Sequence, residues 1–217
     1  MRIVFIHGFG ETAEVFDQIA PKLSGEHTYV SLWEALGNDP RRNLRISDFS
    51  QELIDKYAIV PEDLVIGHSL GGKIAYHIKQ LQNNRIVQLA SWTQQVRVKM
   101  PIKNPNVALW LARWGLLFNP VVKRYLMKQY RRPQSVPYYE SALDNLISGH
   151  RNCVVNQLRL VLEPVQLEAA KSPDLRIHSR RDNIIRYPKE PFIEVPGDHF
   201  SLLTNPTEVV EAIRTNL

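Results

Sequence analysis

Ser69 stands between two glycines in Gly67-His68-Ser69-Leu70-Gly71, directly after the apolar run Leu64-Val65-Ile66. Glycines at those offsets permit a sharp strand-to-helix turn that projects the central hydroxyl from the end of a sheet. A serine hydroxyl is a weak nucleophile near neutral pH, so it needs an imidazole base that is itself oriented by a carboxylate. Both residue types occur after strand-like runs near the C-terminus. Asp182 follows Arg176-Ile177-His178-Ser179-Arg180-Arg181, and His199 lies in Val195-Pro196-Gly197-Asp198-His199-Phe200. Asp198 and Asp174 are the other carboxylates to weigh, but Asp198 adjoins the imidazole it would orient and Asp174 precedes its strand. Acyl chemistry also needs donors aimed at a developing oxyanion. The Leu70 amide, next after the nucleophile, supplies one, and the glycine-rich His7-Gly8-Phe9-Gly10 offers the Phe9 amide as the other.

Around this set lie residues with two readings each. His68 adjoins Ser69 on so tight a turn that it points away from the hydroxyl, so packing or substrate contact is expected of it rather than proton transfer. Trp92, Trp110, Trp114 and Phe118 are candidates to line an apolar acyl pocket, and the same helical spacing fits plain helix packing. Lys123, Arg124, Lys128, Arg131 and Arg132 form a basic cluster. Three of its members share one helix face, which is either solvated or a docking surface for an anionic substrate or an acidic acyl carrier protein.

The elements that must position these residues can be read from periodicity. Short apolar runs alternate with amphipathic helical patterns, which argues for parallel strands with helices on both faces. Strands are expected at 2–6, 28–33, 63–67, 86–91, 175–178 and 192–195. Helices are expected from Ile46 to Tyr57 behind a Ser47 cap, from Leu70 to Leu81, and from Pro206 through Ile213. After Trp92 the alternation stops. Four helical stripes follow, among them Val107, Trp110, Leu111, Trp114, Leu117 and Phe118, so residues 101–170 read as a helical insertion into one sheet.

At 217 residues with 44% hydrophobic content, the chain can bury one sizeable core, and a single domain over 1–217 is expected. A single cysteine, Cys153, excludes an internal disulfide framework and fits a reducing compartment, with the cytoplasm as the default. The apolar run from Val107 to Phe118 is interrupted by Arg113 and is shorter than the roughly 20 residues a membrane span needs. The net charge of +5 permits an acidic partner, but neither zinc-finger spacing nor an RNA-binding aromatic motif accompanies it, so nucleic acid is not expected.

The order Ser69, Asp182, His199, with His-Gly-x-Gly at 7–10 and Gly-Asp-His-Phe at 197–200, resembles the α/β-hydrolase superfamily over the whole chain. The four-helix insertion is similar to the lid of small esterases and thioesterases. The resemblance implies a mostly parallel sheet with helices on both faces and attack by Ser69 on an ester or thioester carbonyl. It further implies proton shuttling by His199, orientation of that ring by Asp182, a structural hydrogen bond from His7, and no metal or organic cofactor. A lyase, a carbon–carbon bond hydrolase or a non-catalytic binding protein on the same fold are the rivals. Two departures are visible. No strand precedes the oxyanion-loop strand, and only 17 positions separate Asp182 from His199, too few for a strand and a full helix. The sheet is therefore expected to be smaller at both ends, with the exposed edge leaving either a monomer or an edge-paired dimer.

Overall fold

The computed structural model describes residues 1–100, 102–164 and 171–217, apart from the Val96 side chain. The expected limits of the insertion, at 101 and 170, lie outside the described residues. In chain order the elements are β1 (Arg2–Ile6), β2 (Glu26–Val30), α1 (Leu32–Leu36), α2 (Ile46–Tyr57), β3 (Leu64–His68), α3 (Leu70–Gln82) and β4 (Arg85–Leu89). There follow α4 (Pro105–Arg113), α5 (Pro120–Gln129), α6 (Val136–Ser148), α7 (Arg151–Leu162), β5 (Leu175–His178), β6 (Ile193–Glu194), α8 (Ser201–Thr204) and α9 (Pro206–Asn216). The six strands form one sheet in the order β2-β1-β3-β4-β5-β6, and every pairing is parallel.

Side chains alternate across a strand, so a sheet covered on both faces needs apolar residues at every position. Val4, Ile6, Val65 and Ile86 enter one core with α2 and α3. Ile3, Phe5, Leu64, Ile66, Val87 and Leu89 enter the other with α9. Because all strands run the same way, the loops after β1, β3, β5 and β6 leave from one edge of the sheet, which brings residues far apart in sequence to one place.

Several boundaries moved from their expected places, each for a local reason. β2 ends at Val30 rather than 33 because the Ser31 hydroxyl accepts from the Glu34 amide and caps the short α1. Ser47 does not cap α2. The helix starts at Ile46, with Arg45 in the cap position and no side-chain cap, and the Ile46 amide donates instead to the Glu163 carboxylate from beyond α7, at 2.6 Å. Asn205 precedes α9 without a side-chain cap, its amide oxygen taken by the Thr204 hydroxyl. β6 is two residues long, and between Asp182 and His199 the described backbone forms no helix, only a bridge from Ile185 to Val98.

The four expected helices of the insertion are present, but the stripe of α4 is turned. Ala108 and Ala112 face Leu158 and Leu162 of α7, with Phe9, Leu117 and Phe118 packed around them. Small residues let the two helices approach closely, and the tryptophans are rotated outward. No described helix is long and apolar enough to cross a membrane.

Candidate active site

The Ile6–Gly67 pairing of β1 and β3 sets the glycine loop at 7–10 beside the turn that carries Ser69. Ser69 has φ 53° and ψ −118°, a region that an L-residue occupies only when its surroundings enforce it. The enforcing contacts are its amide bond to Leu89 O at 2.9 Å and the Ser91 hydroxyl on its carbonyl at 2.6 Å. A Cβ on Gly67 would collide with the Gly71 carbonyl, and one on Gly71 with the Ile6 carbonyl, so both positions must be glycine for α3 to descend this close to β1 and β3.

Asp182 and His199 meet as their strand ends predict. His199 Nδ1 lies 2.8 Å from Asp182 Oδ2, while Asp182 Oδ1 accepts from the amides of Ile184 and Ile185, each at 2.8 Å. His178 adds a second imidazole 3.3 Å from Oδ2. Burial alone would raise the Asp182 pKa, but the two histidines outweigh it and hold the carboxyl well below the ordinary carboxylate range. Neither alternative acid takes this place. Asp174 pairs with Lys79 at 2.8 Å. Asp198 accepts from the hydroxyls of Tyr130 and Ser135 and from the Phe200 amide, tying the segment between α5 and α6 to the His199 loop. Among the described residues the Phe9 and Leu70 amides have no hydrogen-bond acceptor, and no hydrogen bond yet joins the Ser69 hydroxyl to His199. Both are compatible with a site awaiting substrate, since catalytic hydrogen bonds are often long in the free enzyme.

One participant escaped the sequence reading. Glu11, directly after the glycine loop, is buried; its Oε2 accepts from the Gly8 amide at 2.6 Å and lies 2.8 Å from His68 Nδ1. The other nitrogen of His68 lies 2.9 Å from the His199 carbonyl. Burial lowers the His68 pKa, yet the charge of Glu11 and its hydrogen bond outweigh that and raise it; Glu11 is in turn depressed by the imidazolium. The only available signal was an acidic residue following His-Gly-x-Gly in a chain that also has histidine before its nucleophile.

His68 is therefore corrected as a substrate contact: its ring is fully buried, with both nitrogens engaged. Trp92 is buried in the core, its indole N–H on Gln95. Trp110 and Trp114 are 56% and 65% exposed and line no inner pocket. Phe118 alone of the expected pocket aromatics sits at the site, its ring edge-on to Phe9 at 5.6 Å. His7 makes the hydrogen bond expected within its loop, Nδ1 lying 2.9 Å from the Gly8 carbonyl, and its Nε2 also accepts from the Leu32 amide at 3.0 Å. Ligating atoms of Glu11, His68 and His199 lie within 4.8 Å of one another. A cation there would have to break the Glu11–His68 pair and compete for the proposed base, so the hydrogen bonding does not fit a metal.

The insertion reaches into this site. Gly10, at φ +75°, donates its amide to Gln157 Oε1 of α7 at 3.2 Å and accepts from Asn145 Nδ2 of α6 at 2.9 Å. Phe9 is thus anchored through its neighbour. In the basic cluster, Lys123 is tied to Glu140 and Asp144 across to α6.

No curated protein matches the chain. Among solved structures it is similar to a thermophilic esterase from Thermogutta terrifontis (15% identity, TM-score 0.72, covering 99% of this chain and 88% of that one). A hydrolase from Pseudomonas aeruginosa PA01 matches at 16% identity, TM-score 0.73, and coverage of 99% and 88%. The enol-lactonase from Burkholderia xenovorans LB400 matches at 13%, 0.72, and coverage of 99% and 90%. At such identities these likenesses speak for the fold. The family match extends over residues 3–212, and with the six-stranded parallel sheet it shows that the chain belongs to the alpha/beta hydrolase family.

Proposed function

We propose that the protein is a serine hydrolase that cleaves carboxylic esters or thioesters through a covalent acyl-enzyme. The observation that carries this reading is the convergence of Ser69 on its strained turn, the buried Asp182–His199 pair, and the free Phe9 and Leu70 amides at one edge of the sheet. Ser69 Oγ attacks the acyl carbonyl while His199 Nε2 takes its proton. Asp182 holds the ring in the tautomer that leaves Nε2 free and stabilises the imidazolium that forms. The Phe9 and Leu70 amides receive the oxyanion, each contributing about 3 kcal/mol in the transition state. His199 returns the proton to the departing alcohol or thiol, and water, activated the same way, releases the acid. An acidic acyl carrier protein is the partner proposed for Arg124 and Lys128 of α5 with Arg131 and Arg132, which lie beyond the end of α5 at Gln129 rather than on the helix face expected of Arg131.

The test is hydrolysis of p-nitrophenyl esters and acyl-CoA thioesters of graded chain length, with Ser69→Ala as control. Turnover reduced by about 10⁴-fold or more in the variant is expected. Equal turnover in both proteins would remove Ser69 as nucleophile. No turnover in either would turn the assignment toward one of the rival activities on this fold.

A further inference from the structure

A second concavity lies on the outer side of α4 and α7, away from the nucleophile. It has a volume of about 370 Å³ and is lined by Arg41, Arg42, Arg113, Arg159 and the outward-turned Trp110; no carboxylate lines it. The wall is held in place by the insertion itself. Asn152 of α7 donates to the Asn38 carbonyl, and Asn156 donates to Asp39 O while accepting from the Arg41 amide, pinning the loop after α1 against α7. Arg41 is neutralised by Glu52 on both guanidinium nitrogens. Arg42, Arg113 and Arg159 have no ion-pair partner among the described residues, and Arg159 Nε is buried without any hydrogen-bond partner.

We infer that this cavity binds a phosphate-bearing small molecule, with Arg42, Arg113 and Arg159 on the phosphate oxygens and Trp110 beneath a planar or apolar part. A guanidinium fork pairs bidentately with carboxylate or phosphate, but three of them together are matched by the three oxygens of a terminal phosphate rather than the two of a carboxylate. An exposed tryptophan at the rim of such a pocket offers a stacking face. Binding is reversible and needs no chemistry at Ser69, so it stands or falls independently of the hydrolase reading.

The test is titration of the full chain at near-physiological salt, about 0.15 M, followed by calorimetry and tryptophan fluorescence. The probes are pyrophosphate, adenosine 3′,5′-bisphosphate and 4′-phosphopantetheine, with citrate as a polycarboxylate control. Saturable binding of a phosphate probe is expected, weakened about 10-fold or more by Arg42→Ala and by Arg113→Ala. Both residues are exposed, so their removal leaves the fold intact, as circular dichroism will check. Arg124→Ala, on α5 and outside the cavity, is expected to leave binding unchanged. Tighter binding of the bisphosphate points to a free nucleotide-type ligand, and tighter binding of phosphopantetheine to a carrier-borne arm. Absence of saturation with every phosphate probe, equal binding of citrate, or an equal loss in Arg124→Ala would overturn the proposal.

Discussion

Both nitrogens of His68 face oxygen acceptors, the Glu11 carboxylate and the His199 carbonyl, and only an imidazolium donates to two at once. The buried pair therefore stitches together the glycine loop through Gly8, the Ser69 turn through His68, and the His199 loop through its backbone. Breaking it from one side leaves a buried charge uncompensated. Glu11→Gln is expected to lose about 3 kcal/mol of stability in urea unfolding and to lower kcat with little change in KM. The pH dependence has a defined sign. His68 is raised above its ordinary 6.5, so its stabilisation is complete below that value and is lost as pH rises through the folded pKa. Glu11 is depressed below its ordinary 4.5, so its share is complete above that value and is lost as pH falls through the folded pKa. Stability-against-pH curves of the parent and Glu11→Gln should differ most between pH 4.5 and 6.5 and converge only as pH rises through the folded His68 pKa or falls through the folded Glu11 pKa; parallel curves would refute the ion pair. At Ser69 itself the positive φ stores strain. Ser69→Gly should abolish turnover yet stabilise the fold by about 1 kcal/mol, read from thermal unfolding.

At the scale of elements, the insertion is bonded into the loops proposed to carry the chemistry rather than laid over them. α6 and α7 hold Gly10 from its two backbone ends, and Gly10 follows the Phe9 amide proposed to receive the oxyanion. Asn145→Ala and Gln157→Ala should each lower kcat by about 10-fold, with a smaller effect on KM, because they misplace an oxyanion donor rather than remove a substrate contact. Their stability cost should stay near 1 kcal/mol each. A KM effect with unchanged kcat would instead make these side chains ordinary pocket contacts. The rotation of α4 also belongs at this scale. Its stripe was legible as helical, but which side faces in depended on Ala108 and Ala112 nesting against Leu158 and Leu162. Hydrophobicity alone points to the tryptophans, whereas close packing prefers the alanines.

For the molecule as a whole, the joint between insertion and sheet runs through Lys73, one turn after Ser69. Its side chain is fully buried, and Nζ donates to Leu160 O at 2.7 Å and Glu163 O at 2.6 Å, at the C-terminal end of α7. Burial lowers its pKa to about 7 against an ordinary 10.5, with Glu163 opposing the shift in part. The unfolded chain then binds more protons than the fold between those values, so this residue makes global stability rise with pH from about 7 toward 10.5. Lys73→Met should flatten that rise in denaturant titrations across the same range, even if its midpoint stability falls. Charge is also unevenly distributed along the chain: from residue 64 through 139 the sequence contains no Asp or Glu and twelve Lys or Arg.

The order of the six strands and of the longer helices, the Ser69 turn and the choice of Asp182 and His199 as the pair that meets were determined by the sequence by itself. They rest on local physics: glycine at positions where a Cβ has no room, apolar runs of strand length, and the residue types that acyl chemistry demands. Glu11 as the partner of His68, the anchoring of Gly10 by Asn145 and Gln157, the outward turn of Trp110 and the arginine-lined cavity were decided by tertiary structure alone. Each depends on groups 46 to 147 positions apart meeting in a low-dielectric interior or across a helix pair. There, burial and close packing, rather than neighbouring residues, select which polar atoms must find one another.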